Sequence, residues 1–221
     1  NEYGGKGILL GGVAGVPPAH FVILGAGVLG RAAARAAIGL GAQVTLLDRS
    51  VGHLRDVGRE IHGGYTTMLA TRPNIEMALS FADLVLGAVA VSGQRAPVIV
   101  TRDMLRHMKP RTVVMDLSID MGGCFETSRP TTLASPTYEV DGILHMCVPN
   151  LPSVAARTAT KAFTNATLPY LQTIAEKGID DALRAHPDLA RGVLLYRGRC
   201  ASGELARAFG VECTPVPGVE A

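Results

Sequence analysis

Residues 21–48 limit what this chain can fold into more than any other stretch. An apolar run, Phe21-Val22-Ile23-Leu24, meets a glycine turn, Gly25-Ala26-Gly27-Val28-Leu29-Gly30. An alanine-rich, proline-free segment follows to Leu40, and a second apolar run, Val44-Thr45-Leu46-Leu47, ends in Asp48. Strand, glycine turn, helix and strand with an acidic residue about twenty positions on form the pattern of a dinucleotide-binding βαβ unit. Gly25 permits a tight exit from the strand, Gly27 lets backbone N–H groups approach a pyrophosphate, and Gly30 lets the helix lie close on the sheet. Ala26 and Val28 complete the turn. The pyrophosphate belongs at the N-terminus of a helix starting near Val28, where free N–H groups and the helix dipole favour an anion. Asp48 can accept from both adenosine ribose hydroxyls, and its charge would repel a 2′-phosphate, which favours NAD over NADP. Arg49 bears on the same choice, since a guanidinium could pair with such a phosphate or simply be a solvated surface group.

Composition excludes several classes of function. At 221 residues, 48% hydrophobic and 18% charged, the chain can bury one sizeable core, or a core with an appendage. Its most apolar stretch, Asp83 to Val91, is interrupted by Gly87 and falls short of the roughly 20 residues of a spanning helix. A net charge of +2 without a basic run recommends neither nucleic acid nor an anionic membrane, so the expected partner is a small molecule. Cys124, Cys147, Cys200 and Cys213 show no CxxC spacing, the six histidines show no ligand spacing, and no metal site is expected. A reducing cytoplasm fits this cysteine usage. Asn1 to Leu10 lacks the layout of a secretory signal, and the absence of an initiator methionine implies a chain that begins inside something longer, or was processed or trimmed.

Alternation of apolar runs with helical periodicity continues along the chain. Strands are expected at Phe21–Leu24, Val44–Leu47, Tyr65–Met68, Leu84–Val89, Thr112–Asp116 and Ile143–Val148. Helices are expected at Val51–Ile61, Asn74–Phe81 and Thr101–Met108, the last capped by Thr101 and Asp103. Nearly all-apolar strands separated by helices imply an α/β fold, a doubly wound Rossmann-type parallel sheet covered on both faces. The expected domains are a connector over 1–18, a nucleotide-binding domain over 19–152, and a C-terminal helical segment and tail over 153–221. That last part reads as a long helix from Ser153 to Lys177 stopped by Gly178, with Leu168-Pro169 a place where it can kink. A short helix over Asp180–Ala185, a hairpin turning at Arg197-Gly198, a helix over Gly203–Phe209 and an extended tail from Thr214 follow. These trailing elements suggest packing against a missing domain or another subunit.

Ligands of doubly wound sheets lie beyond the carboxyl ends of strands. Three polar segments fall there: Val89-Ala90-Val91-Ser92-Gly93, Asp116-Leu117-Ser118-Ile119-Asp120-Met121-Gly122-Gly123, and Pro149-Asn150-Leu151-Pro152. Asp120, held by a Gly-Gly turn, could orient a substrate, stabilise a cationic iminium or bind a ribose; equally, Asp120 or Asp116 could cap a turn. Asn150 could donate to a substrate oxygen or hold its loop. The sequence has no Ser-His-Asp pattern, no Walker loop, and no evident lysine or histidine placed for proton transfer.

Taken together, these residues resemble the C-terminal part of the alanine dehydrogenase and proton-translocating transhydrogenase family over nearly the whole chain. The marks are Gly4–Val13 ahead of the first strand, Ile23-Leu24-Gly25-Ala26-Gly27 with Asp48, Ala82–Val89, Met108-Lys109-Pro110, and above all Ser118–Thr132. Asp120 and Ser128-Arg129-Pro130-Thr131-Thr132, with Thr164–Tyr170, resemble the alanine dehydrogenase branch more than the transhydrogenase branch. The resemblance implies that Asp120 contributes to catalysis beside the nicotinamide, that Asn150 and Leu151 line the same pocket, and that Val89, Ala90 and Leu117 flank the cofactor. It implies oxidation of L-alanine with NAD and water to pyruvate, ammonia and NADH, by a homo-oligomer, a hexamer in this family. The lysine, histidine and arginine that such a reaction uses would lie in an N-terminal domain missing from this chain. Two departures stand out: Pro149 replaces the usual alanine, and His53 stands where a basic residue often approaches the ribose. The alternatives are a soluble NAD(H)-binding transhydrogenase component and a truncated, non-catalytic nucleotide-binding module.

Overall fold

A computed structural model describes residues 4–91, 93–214 and 216–217; Ser92, the start of the expected connector at 1–3, and 215 and 218–221 of the expected tail lie outside the described residues. The chain divides into two compact units, 1–150 and 151–221.

The first unit runs β1 (His20–Leu24), α1 (Val28–Gly39), β2 (Gln43–Asp48), α2 (Val51–Glu60), β3 (Tyr65–Leu69), α3 (Arg72–Phe81), β4 (Leu84–Gly87), β5 (Val113–Asp116), β6 (Thr137–Val140) and β7 (Ile143–Met146). Its sheet has the order β3-β2-β1-β4-β5-β7-β6. All neighbours are parallel except β6, which pairs antiparallel with β7 at the edge. The order proceeds in one direction from β1 to β3 and in the other from β4 onward, so β1 and β4 flank the point where a doubly wound sheet opens a crevice.

The strands' composition explains this layering. Phe21, Ile23, Val44, Leu46 and Leu86 face Ala34 and Ala37 of α1 and Val57 of α2. Val22, Leu24, Leu47, Val85 and Val114 face the other way, onto Ile75 and Leu79 of α3 and onto Met104, Leu105 and Phe125. Strands buried on both sides have no polar alternation, which is why they read as unbroken apolar runs. Full burial of each Leu, Ile or Phe contributes about 1.5–3 kcal/mol, so these two layers hold the sheet together.

Several elements differ from the sequence expectation. Thr101–Met108 forms a short 3₁₀ helix at Arg102–His107 and no α-helix. Its bonds span three residues, Met104 N–H to Thr101 at 3.1 Å and Met108 N–H to Leu105 at 3.0 Å, because Lys109-Pro110 stops the segment before an α-helical nucleus can propagate. The Thr101 hydroxyl does not cap it; that oxygen is buried without a partner among the described residues, while Asp103 pairs with Arg106 at 3.2 Å. β4 stops at Gly87, because the Val89 N–H turns to the Ser118 hydroxyl at 3.0 Å. β7 stops at Met146, because Cys147 exchanges its backbone bonds with Thr131. The strand β6 was not expected, although Asp141-Gly142 signals it: both residues have positive φ, 51° and 78°, and join β6 to β7 as a two-residue hairpin turn.

The second unit begins with a 3₁₀ turn at Leu151–Ala155 and continues into α4 (Ala156–Lys177), which runs through Pro169. The expected helix start at Ser153 is therefore 3₁₀. Gly178, at φ 79°, ends α4 and leads into α5 (Ile179–Ala185). A further helix that the sequence reading did not include, α6 (Pro187–Arg191), starts on a proline, whose fixed φ suits the first turn. A small hairpin, β8 (Leu195–Tyr196) and β9 (Arg199–Cys200), turns at Arg197-Gly198 as expected, and α7 (Gly203–Phe209) follows. Asp180 ties the hairpin to α5 by bonding the Tyr196 hydroxyl and, at 2.6 Å, Arg197.

Candidate functional site

A cavity of about 710 Å³ opens at the carboxyl ends of the first unit's strands. It is lined by the β1–α1 turn (Gly25, Gly27, Val28), Asp48 at the end of β2, the loop after β4 (Val89–Val91) and the loop after β5 (Leu117, Ser118, Asp120, Met121). These four ends converge there because β2, β1, β4 and β5 are consecutive, parallel neighbours in the sheet.

The glycines of the turn do different jobs. Gly25 has φ +106°, and a Cβ on it would lie 2.4 Å from the Ala88 carbonyl. A Cβ on Gly30 would lie 1.8 Å from the Gly25 carbonyl, so α1 can sit this close only on a glycine. Gly27 is unlike both. It has an ordinary φ of −69°, and a Cβ there would meet no atom of the described residues within 4 Å. Among the described residues no contact calls for glycine at 27; the space beside it opens into the cavity. Gly27 is also the N-cap of α1, and no side chain caps this 12-residue helix. Its first-turn N–H groups therefore remain for an anion. Arg31 fixes the turn from behind, donating to the Ala26 carbonyl at 2.9 Å while Glu60 holds it at 3.0 Å.

The turn is locked onto Asp48. One carboxylate oxygen accepts from the Ala26 N–H at 2.8 Å and the other from the Ser50 N–H at 2.7 Å. The oxygen bonded to Ala26 retains a further lone pair for a ligand hydroxyl, while the one bonded to Ser50 also faces His53. His53, on the first turn of α2, stands 3.3 Å from Asp48, and Arg49 lines the same end of the cavity. The site thus contains what a dinucleotide requires: an anion cradle at an uncapped helix start, with an acceptor carboxylate one strand away.

Across the cavity, a 3₁₀ turn at Ile119–Met121 presents Asp120. Asp120 is exposed, and its carboxylate accepts from the Asn150 N–H at 3.0 and 3.3 Å. Asn150 has φ 51°, so the residues after β7 bend back toward the loop after β5. Asp116, at the end of β5, lies behind this loop and is completely buried. It accepts from the N–H groups of Ser118, Cys124 and Phe125 and from the Ser128 hydroxyl. Burial, together with the nearby Asp116 charge, pushes the Cys124 thiol up, which keeps it protonated and unreactive.

Of the residues singled out from the sequence, Gly25, Gly27, Val28, Asp48, Val89, Ala90, Leu117 and Asp120 line one cavity. Ala26 and Gly30 support it without lining it: Ala26 is buried and bonds Asp48, and Gly30 packs on Gly25. Asn150 joins the site through its bond to Asp120, whereas Leu151 belongs to the second unit. His145, the histidine nearest these strand ends in sequence, is completely buried. Its Nδ1 lies 3.0 Å from the Ile143 carbonyl and its Nε2 2.8 Å from the Thr127 hydroxyl, so the ring is a neutral packing element. Sequence reasoning missed Ser118, whose hydroxyl ties the β4 loop to the β5 loop, and Arg31, whose position one residue after Gly30 was the available signal. Among the described residues, no group of three or more His, Cys, Asp and Glu could hold a metal ion, and no helix is long and apolar enough to cross a membrane.

Residues 1–203 match the family model described as alanine dehydrogenase/PNT, C-terminal domain. The chain belongs to that family. It is 49% identical over 209 residues to an alanine dehydrogenase of Halomonas elongata, covering 95% of this chain and 56% of that protein. With an alanine dehydrogenase of Mycobacterium tuberculosis it shares 45% identity over 211 residues, covering 96% of this chain and 57% of the relative. It therefore spans little more than half the length of the curated relatives it matches. Among solved structures, an L-alanine dehydrogenase superposes with a TM-score of 0.85 at 41% identity, over 94% of this chain and 57% of the other. A transhydrogenase from Sinorhizobium meliloti, 24% identical with a TM-score of 0.71 over 91% of this chain and 55% of the other, shares the fold.

Proposed function

We propose that this chain is the NAD-binding part of an alanine dehydrogenase, in which L-alanine, NAD and water are converted to pyruvate, ammonia and NADH. The observation that carries the reading is the open face of Gly27 at an uncapped helix start, joined through Ala26 to the Asp48 carboxylate. Family membership and alanine dehydrogenases at 45–49% identity support the substrate.

When bound, the dinucleotide supplies the hydride acceptor. The first-turn N–H groups of α1 hold the pyrophosphate, and Asp48 accepts from the adenosine ribose hydroxyls, its charge disfavouring a 2′-phosphate. Val89, Ala90 and Leu117 wall the nicotinamide end and exclude water. Asp120 faces the reacting carbon, where a carboxylate stabilises the positive charge of the iminium formed from the amino acid; Asn150 completes that side. Proton transfer and capture of the substrate carboxylate are assigned to an N-terminal domain outside this chain, in a cytoplasmic homo-oligomer. The run from Asp120 to Thr132 favours this reading over a transhydrogenase component.

Calorimetric titration of the 221-residue chain with NAD and NADP tests it. NAD should bind more tightly, and the chain alone should produce no NADH from alanine. Equal affinities would refute the role of Asp48, and alanine-dependent turnover would refute the assignment of proton transfer elsewhere.

A further inference from the structure

The Asp116 carboxylate is buried completely, yet it makes no salt bridge among the described residues. Burying a charge is costly unless donors replace the lost water. Here all its partners are donors. Oδ1 accepts from the Ser118 N–H at 2.9 Å, and the Cys124 thiol lies 3.5 Å away. Oδ2 accepts from the Cys124 N–H at 2.8 Å, the Phe125 N–H at 3.3 Å and the Ser128 hydroxyl at 2.6 Å.

These bonds fall on both sides of Asp120. One carboxylate grips Ser118 before the 3₁₀ turn and Cys124 and Phe125 after it, and the turn between is closed by Gly123 N–H to the Ser118 carbonyl at 3.0 Å. The surrounding backbone is cut to fit: a Cβ on Gly123 would lie 2.8 Å from Oδ2, and one on Gly87 would lie 3.0 Å from Oδ1. An ordinary turn cap uses a single carboxylate–amide bond. Asp116 instead sets the height and direction of the whole segment that presents Asp120.

We propose that Asp116 is the positioning residue that aims the Asp120 carboxylate into the cavity, and so sets the site's preference between the oxidised and reduced dinucleotide. The inference rests on the placement of Asp120 beside the nicotinamide described above. An oxidised nicotinamide ring carries a positive charge that reduction removes, so a correctly aimed carboxylate favours the oxidised form. Asp116→Asn keeps the shape but puts an NH₂ against a backbone N–H whichever way the amide lies, since both oxygens accept one.

The test is a double-mutant comparison on the 221-residue chain, measuring NAD and NADH affinities calorimetrically together with the melting temperature. Asp120→Asn should lower the NAD:NADH affinity ratio roughly fivefold, the scale for one partly screened charge. Asp116→Asn should lower the same ratio by about two- to fivefold, and the double variant should fall no further than Asp120→Asn, because no charge remains to be aimed. Ser128→Ala, which removes one donor, should shift the ratio in the same direction by less, and it carries the test if Asp116→Asn does not fold. An unchanged ratio in Asp120→Asn would overturn the placement of Asp120 itself. A reduced ratio in Asp120→Asn, with wild-type ratios in Asp116→Asn or Ser128→Ala, would overturn only the positioning role. Additive losses in the double variant would overturn it as well.

Discussion

Gly27→Ala and Gly30→Ala should fail in opposite ways, although both glycines belong to one six-residue turn. At position 30 the new methyl would lie 1.8 Å from the Gly25 carbonyl oxygen, a backbone atom that can move only if β1 and α1 separate. Overpacking of this kind costs about 1–3 kcal/mol or more. For a unit of this size that corresponds to a fall in melting temperature of roughly 3–10 °C. At position 27 the methyl meets nothing among the described residues within 4 Å and the backbone is at φ −69°, so the fold tolerates it. Loss of glycine's freedom in the unfolded chain should even raise stability slightly, by about 0.4–1 kcal/mol. The methyl would, however, fill the space that the proposed function assigns to a pyrophosphate. Loss of one or two charge-assisted hydrogen bonds, each about 1.5–3 kcal/mol, should weaken NADH binding by at least about tenfold. Thermal melts and NADH fluorescence titrations on the two variants read both quantities. If Gly27→Ala binds NADH within twofold of wild type, the anion cradle is wrongly placed and Gly27 is an incidental surface glycine.

Asp48→Asn should narrow the preference for NAD over NADP by about tenfold, because it removes one charge repelling a 2′-phosphate; parallel titrations with both cofactors check this, and an unchanged preference would point to other determinants. Under the proposed function, Asp120→Asn in an active alanine dehydrogenase containing this chain should lower kcat by roughly a hundredfold or more while NAD affinity stays within about tenfold; a fall in stability with kcat per folded molecule preserved would make Asp120 a turn cap. Burial holds the pKa of His145 below its usual 6.5, so the unfolded chain binds a proton more readily than the folded one. Its contribution is therefore complete above about pH 6.5 and is lost as pH falls, with a slope of at most about 1.4 kcal/mol per pH unit. Urea midpoints between pH 7.5 and 5 should fall for the wild type and flatten in His145→Gln, and parallel curves would exclude His145 as the cause.

The βαβ unit was legible because each of its signals is local. Strands buried on both faces are continuously apolar, a turn under steric pressure must be glycine, and Asp48 stands at a fixed distance along the chain. The hairpin signal at Asp141-Gly142 is equally local, whereas the 3₁₀ form of Arg102–His107 depends on how Lys109-Pro110 ends the segment. The site was legible only in part. Asp120 and Asn150 were named separately, but their meeting depends on the chain returning through β7 to lie beside β5, a pairing between residues thirty apart that no periodicity announces. Asp116 was visible only as a turn-forming residue, because burial and the convergence of five donors are properties of packing. Sequence by itself determined the strand faces, the glycine turn and its acidic partner, since local sterics and hydrophobic patterning decide those. Only tertiary structure decided which glycine faces open space, which aspartate is buried and which histidine is withdrawn from chemistry, since these depend on atoms brought together from distant parts of the chain.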